Sequence, residues 1–127
     1  QTMKTIITIV LSVCVFMWVV SRPYAEPPTV TASWYGKESA GITANGERFD
    51  GTGLTAAMYE WQGKLIPFNS LVKVTLGPKS VIVRINDRGP NKRLGRAIDL
   101  SRQAFAQICD PAAGLCKPKL EIIRFGK

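Results

Sequence analysis

The sequence predicts a mainly β domain, a small barrel with one short helix, preceded by an N-terminal signal or anchor helix. Glycine and proline recur densely after residue 29 and divide the chain into short segments. Most of these segments alternate apolar and polar residues or are rich in β-branched residues, and a single segment has helical spacing. Many short strands joined by glycine-rich loops are typical of small barrels.

Six strands are predicted along the barrel domain. The runs with β character lie at residues 30–35, 54–58, 71–76, 80–86, 96–100 and 120–125. The fourth run, SVIVRIN, is the clearest, because β-branched side chains fit a pleated surface. Gly77 and Pro78 mark a turn between the third and fourth runs.

One helix is predicted, at residues 101–109. Ser101 is suited to cap its N-terminus, and Phe105 and Ile108 share one apolar face. Pro111 ends it, since proline cannot continue a helix.

The N-terminal segment has the pattern of an export signal. Residues 5–20 are uncharged and follow Lys4, and sixteen residues are slightly short of the roughly 20 needed to span a membrane. We therefore expect residues 1–25 to be a signal peptide or membrane anchor, 26–29 a linker and 30–127 the barrel domain.

The fate of this segment has three readings. Cleavage after Ala25 is favoured and would place the domain in the periplasm or cell envelope. Retention of residues 5–20 as an inner-membrane anchor is an alternative. Lipidation of Cys14 is less favoured, because bulky Val13 precedes it and apolar sequence continues beyond it. Export would also expose Cys109 and Cys116 to an oxidising compartment, where a disulfide between them is favoured over two free thiols.

Charge and composition exclude several classes of function. The chain has 17 Lys and Arg residues against 9 Asp and Glu residues, a formal charge of +8, and no histidine. Histidine triads and histidine metal sites are excluded, and we expect neither a metal nor a cofactor. An exported basic domain suits an anionic wall or surface partner, whereas scattered basic residues and export disfavour nucleic acid.

Two glycine-flanked loops each present a carboxylate. Glu47 follows an Asn-Gly turn in TANGE, and Asp87 ends the strongest strand in NDRGP. Two carboxylates brought into one cleft can cleave a glycosidic bond, with one giving a proton and the other stabilising positive charge or acting as base. The alternative is that both form turns or pair with arginines.

The blocks ASWYG, TANGERFD, LTAA, VIVRINDRGP, GRAIDLS and LEII, in this order, resemble the rare lipoprotein A family over residues 32–123. The resemblance implies a double-psi β-barrel and a septal-ring lytic transglycosylase. Such enzymes cleave the MurNAc–GlcNAc linkage of peptidoglycan and leave a 1,6-anhydro sugar. Peptidoglycan glycan strands are then the expected partner, and we expect a monomer.

The resemblance implies roles for the acidic residues. Asp87 corresponds to the principal acid/base, and Glu47 to a group that stabilises the oxocarbenium-like charge or tunes Asp87. Asp99, in GRAIDLS, is expected to be a structural cap or an arginine partner. Glu60 is expected to be a solvated loop acid.

Substrate contacts are expected at Tyr35, Asn86, Arg88, Trp61 and Met58, the aromatic residues stacking on sugar rings and the polar ones donating hydrogen bonds. Family members carry a histidine directly after LTAA, where this sequence has methionine. This departure puts turnover in doubt. It supports the alternative of a non-catalytic wall-glycan-binding module of the expansin or barwin type, and a third class is a barwin-like secreted effector.

Overall fold

The computed structural model describes residues 25–127, so the expected N-terminal helix lies outside the described residues. Within them, no helix is long and apolar enough to cross a membrane. The described residues form eleven strands, one α-helix and three short 3-10 turns. They are β1 (Ala32–Tyr35), β2 (Gly41–Ile42), β3 (Arg48–Phe49), β4 (Thr55–Ala57), β5 (Glu60–Trp61), β6 (Lys64–Leu65), β7 (Leu71–Leu76), β8 (Lys79–Asp87), β9 (Ile98–Ser101), α1 (Arg102–Ala106), β10 (Leu115–Cys116) and β11 (Lys119–Arg124), with 3-10 turns at Lys37–Ser39, Lys92–Leu94 and Pro111–Ala113.

Seven strands form one sheet, in the order β10-β1-β9-β4-β8-β7-β11. The pairs β1/β9 and β4/β8 are parallel, and the other pairs are antiparallel. The chain just before β1 reaches the far edge, where Thr29 pairs with Lys119 and Val30 N–H donates to the Pro118 carbonyl at 2.9 Å. The sheet therefore closes on itself as a barrel.

Strand alternation fills the barrel with aliphatic side chains. Val72 and Val74 of β7 and Val81, Val83 and Ile85 of β8 are all buried, while their neighbours along each strand are more exposed. Because side chains of a strand point to opposite faces in turn, this pattern gives one face to the core. The alternation in residues 71–76 and 80–86 that predicted these strands is thus the alternation of core and surface.

The helix is shorter than predicted but begins as expected. α1 covers five residues instead of the nine of 101–109, and a turn continues to Cys109, whose N–H donates to the Phe105 carbonyl at 2.8 Å. Ser101 is its N-cap, with Oγ accepting from Ala104 N–H at 3.1 Å, as predicted. Phe105 is fully buried beneath it.

The prediction of six strands was wrong in number. All six are present, but the described residues hold five more, β2, β3, β5, β6 and β10, each of two residues. β2/β3 and β5/β6 form separate small hairpins, and β10 adds to the edge of the sheet beside β1. Two residues are too few to show alternation, so these strands carry no periodic signal in the sequence.

Candidate functional site

A β-bulge at the end of β8 turns the Asp87 side chain out of the core. Ala56 of β4 lies opposite Ile85, but the next residue, Ala57, lies opposite Asp87, so Asn86 is the extra residue. Without the extra residue, strict alternation would place Asp87 on the same face as buried Ile85. The bulge moves it to the other face, which is a common use of bulges beside functional sites.

Asp87 is held by two backbone donors. Its Oδ1 accepts hydrogen bonds from Ala44 N–H at 2.9 Å and from Arg88 N–H at 2.8 Å. Among the described residues, no protein group donates to Oδ2. One oxygen therefore fixes the orientation of the half-buried carboxyl group, and the other is available to a ligand.

Glu47 is held as an ionised carboxylate. Its two oxygens accept from Arg84 at 2.5 and 2.7 Å, and further donors are Asn45 at 2.8 Å and Asn86 at 3.3 Å. The hydrogen bond from Arg84, followed by that from Asn45, lowers the pKa of Glu47 to about 2. A carboxylate so paired does not supply a proton near neutral pH, and both of its oxygens are engaged by protein donors.

This ion pair secures the loop that holds Asp87. Asn45 N–H also donates to the Asn86 carbonyl at 3.2 Å, next to the bond from Ala44 to Asp87. Arg84, on β8, thus binds the loop through Glu47 to the strand that carries Asp87. Arg84 was one of three arginines, with Arg48 and Arg88, that the sequence offered as partners of the two carboxylates, and the structure pairs it with Glu47.

We expect the Glu47–Arg84 pair to stabilise the fold only above acid pH. The pKa of Glu47 is about 2 in the folded chain against an ordinary 4.5, so its contribution is complete above about pH 5 and is lost as pH falls towards 2. Glu47→Gln should therefore cost about 1 kcal/mol or less at neutral pH, since the pair is partly exposed, and almost nothing at pH 2. Urea unfolding at several pH values measures this difference.

Glu121→Gln is the matched control, because Glu121 is a partly buried strand carboxylate that accepts no hydrogen bond within residues 25–127. A difference between wild type and Glu47→Gln that stays constant from pH 7 to pH 2 would contradict the assignment.

Three of the expected substrate contacts point inward instead. Met58 is fully buried in the core, and Asn86 is 2% exposed with its amide on Glu47. Arg88 donates to the Met58 and Ile66 carbonyls at 2.9 and 2.6 Å. Met58 thus packs in the core, and the Asn86 amide and the Arg88 guanidinium bond to protein groups, while Arg88 also lines a groove with Tyr59. Contact of these residues with substrate stays a prediction.

Of the two aromatic residues expected at the site, Tyr35 lies nearer the acidic residues. Its ring packs on Phe49 with centroids 4.5 Å apart, and its hydroxyl is buried without a hydrogen-bond partner among the described residues. Burial and then the charges of Asp87 and Asp99 raise the pKa of Tyr35. Trp61 lies in another groove, lined by residues of the N- and C-terminal segments, so its contact with substrate stays a prediction.

Asp99 faces the same side of the sheet as Asp87, and sequence analysis did not place the two together. In the strand register, Ser33, Asp99, Ala57 and Asp87 form one row across β1, β9, β4 and β8. Neighbouring strands are about 4.8 Å apart, which puts the two aspartate Cα atoms about 10 Å from each other. Asp99 accepts a hydrogen bond from Ser33 Oγ at 3.0 Å. Burial, and to a smaller extent the charge of Asp87, raises the pKa of Asp99, whereas Ser33 and Arg96 lower it; the net change is upward.

The expected structural role of Asp99 is corrected on two counts. The cap of α1 is Ser101, and within the described part of the chain no arginine forms an ion pair with Asp99. The sequence did contain a signal. Ile98 and Leu100 are both buried, so their alternation places Asp99 on the opposite face.

Sequence analysis missed Tyr59, which is 51% exposed and lies beside the residues that follow Asp87. It lines a mostly apolar groove of about 570 Å³ with the segment 88–93. Lys92 Nζ lies 6.0 Å from the centre of its ring and also pairs with Glu60, the expected loop acid. An exposed aromatic ring with cationic neighbours can stack on a sugar and attract an anionic one.

Cys109 and Cys116 are free thiols placed close together. Burial and then the neighbouring Cys109 raise the pKa of Cys116 to about 12. Cys109 follows α1 and Cys116 lies on β10, so a bond between them would connect these two elements. The disulfide stays a prediction. Within residues 25–127, no group of three or more acidic or cysteine side chains could hold a metal ion.

Comparison with known proteins agrees with the earlier resemblance. The lytic transglycolase family matches residues 28–119. The endolytic peptidoglycan transglycosylase RlpA of Vibrio cholerae is 40% identical over 112 residues, which are 86% of this chain and 40% of the relative. RlpA of Pseudomonas aeruginosa is 46% identical over 94 residues, which are 72% of this chain and 26% of that protein. The chain thus spans less than half the length of these relatives.

A solved structure shares the fold at low sequence identity. The Streptomyces papain inhibitor superposes with a TM-score of 0.57 at 20% identity, covering 77% of this chain and 96% of the inhibitor. This likeness concerns the fold alone, and with the family match it confirms the expected double-psi type of barrel. The match over residues 28–119, with the ordered sequence blocks within it, shows that the chain belongs to the lytic transglycolase family.

Proposed function

We propose that this chain is an exported peptidoglycan lytic transglycosylase that cleaves MurNAc–GlcNAc linkages and leaves 1,6-anhydro-MurNAc ends. The observation that carries the proposal is the placement of Asp87 in a domain of this family. A bulge turns its side chain out of the core, and one carboxyl oxygen accepts no hydrogen bond from the described residues. The relatives are named endolytic peptidoglycan transglycosylases, which supports the same substrate.

Asp87 performs the proton transfers in this mechanism. Its carboxyl proton passes to the glycosidic oxygen as the bond from that oxygen to the MurNAc anomeric carbon breaks, and the electron pair stays on the oxygen. The 6-hydroxyl of the same sugar then bonds to the anomeric carbon, and its proton returns to Asp87. No water enters, and the carboxyl group ends as it began.

The surroundings of Asp87 support binding of a glycan strand. Asp87 acts electrostatically on Tyr35, and the groove of Tyr59 and segment 88–93 begins at the residue that follows Asp87. Lys92 and Arg93 give that groove positive charge, which suits the lactyl carboxylate of MurNAc that is free in glycan strands stripped of peptides. We assign this groove to the sugar units that flank the scissile bond.

The proposed function as an exported wall enzyme implies an organisation for the whole chain. Residues 1–25 serve as signal peptide or anchor, 26–29 as linker and 30–127 as the catalytic barrel, with the barrel in the periplasm or cell envelope as a monomer. The basic charge of the chain favours retention near an anionic wall.

The test is product analysis. The full chain is incubated with purified peptidoglycan and with glycan strands stripped of peptides by an amidase, and mass spectrometry detects 1,6-anhydro products. Their release supports the proposal. Sedimentation with the wall without any anhydro product would instead identify the wall-binding module, the second candidate, which the replacement of the family histidine by Met58 favours.

The effect of Met58 can be separated from the rest of the site. Because its side chain is fully buried, we expect Met58→Leu, which conserves volume, to change the free energy of unfolding by less than about 1.5 kcal/mol. The rate of anhydro-product release should stay within about threefold of wild type, since no reacting group is removed. Steady-state assays with thermal unfolding measure both.

Met58→Ala is the comparison variant, and the cavity that it leaves should cost about 2–5 kcal/mol. A well-folded Met58→Leu chain whose rate drops more than about tenfold would place the methionine side chain in the reaction and contradict its assignment to the core.

A further inference from the structure

We propose that Asp99 is a catalytic residue of this site, the carboxylate that stabilises positive charge on the anomeric carbon while Asp87 transfers the proton. The inference rests on the proposed function, because the charge exists only if a glycosidic bond is cleaved. It assigns to Asp99 the stabilising role that sequence analysis gave to Glu47.

Glu47 is poorly suited to that role. Its charge is neutralised by the two-point contact with Arg84, and two amides occupy the remaining positions on its oxygens. Its net field on a nearby cation is therefore weak.

Asp99 has the properties that Glu47 lacks. It forms no ion pair within the described part of the chain, and its one side-chain donor there is the neutral Ser33 hydroxyl at 3.0 Å. Its carboxyl group is partly buried, and this burial raises its pKa. A charge in such an environment acts more strongly on a reacting centre than the same charge in water.

The strand register gives Asp99 the right position. Asp87 and Asp99 lie in one row, on either side of Ala57, whose side chain is a single methyl group. The buried Tyr35 hydroxyl has no partner among the described residues and lies within the electrostatic influence of both aspartates. Both carboxylates therefore act on one buried, unpartnered hydroxyl, which places polar groups of β1, β8 and β9 near one another.

The chemistry divides between the two aspartates without an additional reactant. When the bond from the anomeric carbon to the glycosidic oxygen breaks, the oxygen keeps the electron pair and takes the Asp87 proton. The positive charge left on the sugar ring faces the ionised Asp99. Closure by the 6-hydroxyl removes that charge and returns its proton to Asp87, while Asp99 is unchanged throughout.

The decisive variant is Asp99→Asn in the full chain. We expect kcat for anhydro-product release to fall about 100-fold or more, with KM for peptide-stripped glycan strands within about threefold, because the lost interaction exists mainly in the transition state. Asp110→Asn is the matched control. Asp110 is an exposed cap at a distant turn, and asparagine caps equally well, so this variant should behave as wild type.

Ser33→Ala provides a test that keeps the carboxylate. The Ser33 hydrogen bond lowers the pKa of Asp99, so its loss should raise that pKa and move the acid limb of the kcat profile to higher pH. The other groups that face Asp99 are Asp87, Tyr35 and Arg96, and all three are retained in the variant.

The outcomes separate the two proposals. An inert wild-type chain overturns the proposed function and this inference together. An active wild type with a folded Asp99→Asn variant of similar kcat overturns the inference alone. If Asp99→Asn does not fold, the pH profile of Ser33→Ala decides. An acid limb of kcat at the wild-type pH overturns the inference about Asp99, and an acid limb at higher pH supports it.

Discussion

Asp87→Asn is expected to lower the rate of anhydro-product release by at least about 100-fold, since general acid–base catalysis contributes about 10²–10⁴. The asparagine oxygen can still accept the hydrogen bonds from Ala44 and Arg88, so the loop should keep its geometry. The amide cannot give up a proton to the leaving oxygen. Mass spectrometry of the products, with thermal unfolding of the same samples, measures both effects.

Asp50→Asn is a matched control, because Asp50 bonds to Thr52 in an exposed loop turn and an asparagine oxygen can do the same. Sedimentation with peptidoglycan should be retained in Asp87→Asn, which would show that binding and turnover separate. A folded Asp87→Asn chain that keeps more than a tenth of the wild-type rate would show that another group transfers the proton.

The main strands of the fold could be predicted because each buries one face. Alternating, β-branched or short apolar runs located all six predicted strands, and β8 extends beyond 80–86 by one residue at each end. The closure of the barrel could not be predicted, since the pairing of Thr29 with Lys119 joins residues that no local pattern connects. The two-residue strands were missed for a related reason, because they are fixed by contacts with neighbouring chain and not by periodicity.

The meeting of the two acidic loops could be predicted from the sequence, whereas the contacts of their side chains could not. The loops that carry Glu47 and Asp87 do meet, through the bond from Ala44 to Asp87. The sequence could not show that Arg84 neutralises Glu47 or that a bulge turns Asp87 outward, since a bulge is an irregularity of the register. Both facts depend on which residues oppose each other across strands, and this information is absent from a single strand.

The largest effect on stability is expected at α1, from Phe105→Ala. Phe105 is fully buried, and its ring lies 6.5 Å from that of Trp34 on β1. Removal of a buried phenylalanine ring costs about 3–5 kcal/mol, because the neighbours fill the cavity only in part. In a domain of this size each kcal/mol lowers Tm by about 4–8 °C, so the variant should melt at least about 12 °C below wild type.

Phe125→Ala is the control for this prediction, because Phe125 is 52% exposed near the chain end and its loss should cost well under half as much free energy of unfolding.

Phe105→Ala should also affect the site. α1 follows β9 directly, and the Ser101 cap ends the strand that carries Asp99, so weaker packing of α1 should loosen Asp99 before it loosens Asp87 on β8. Below its Tm, Phe105→Ala should therefore lose kcat while keeping affinity for glycan strands. A variant that melts within about 3 °C of wild type would contradict the assignment of α1 to the cooperative core.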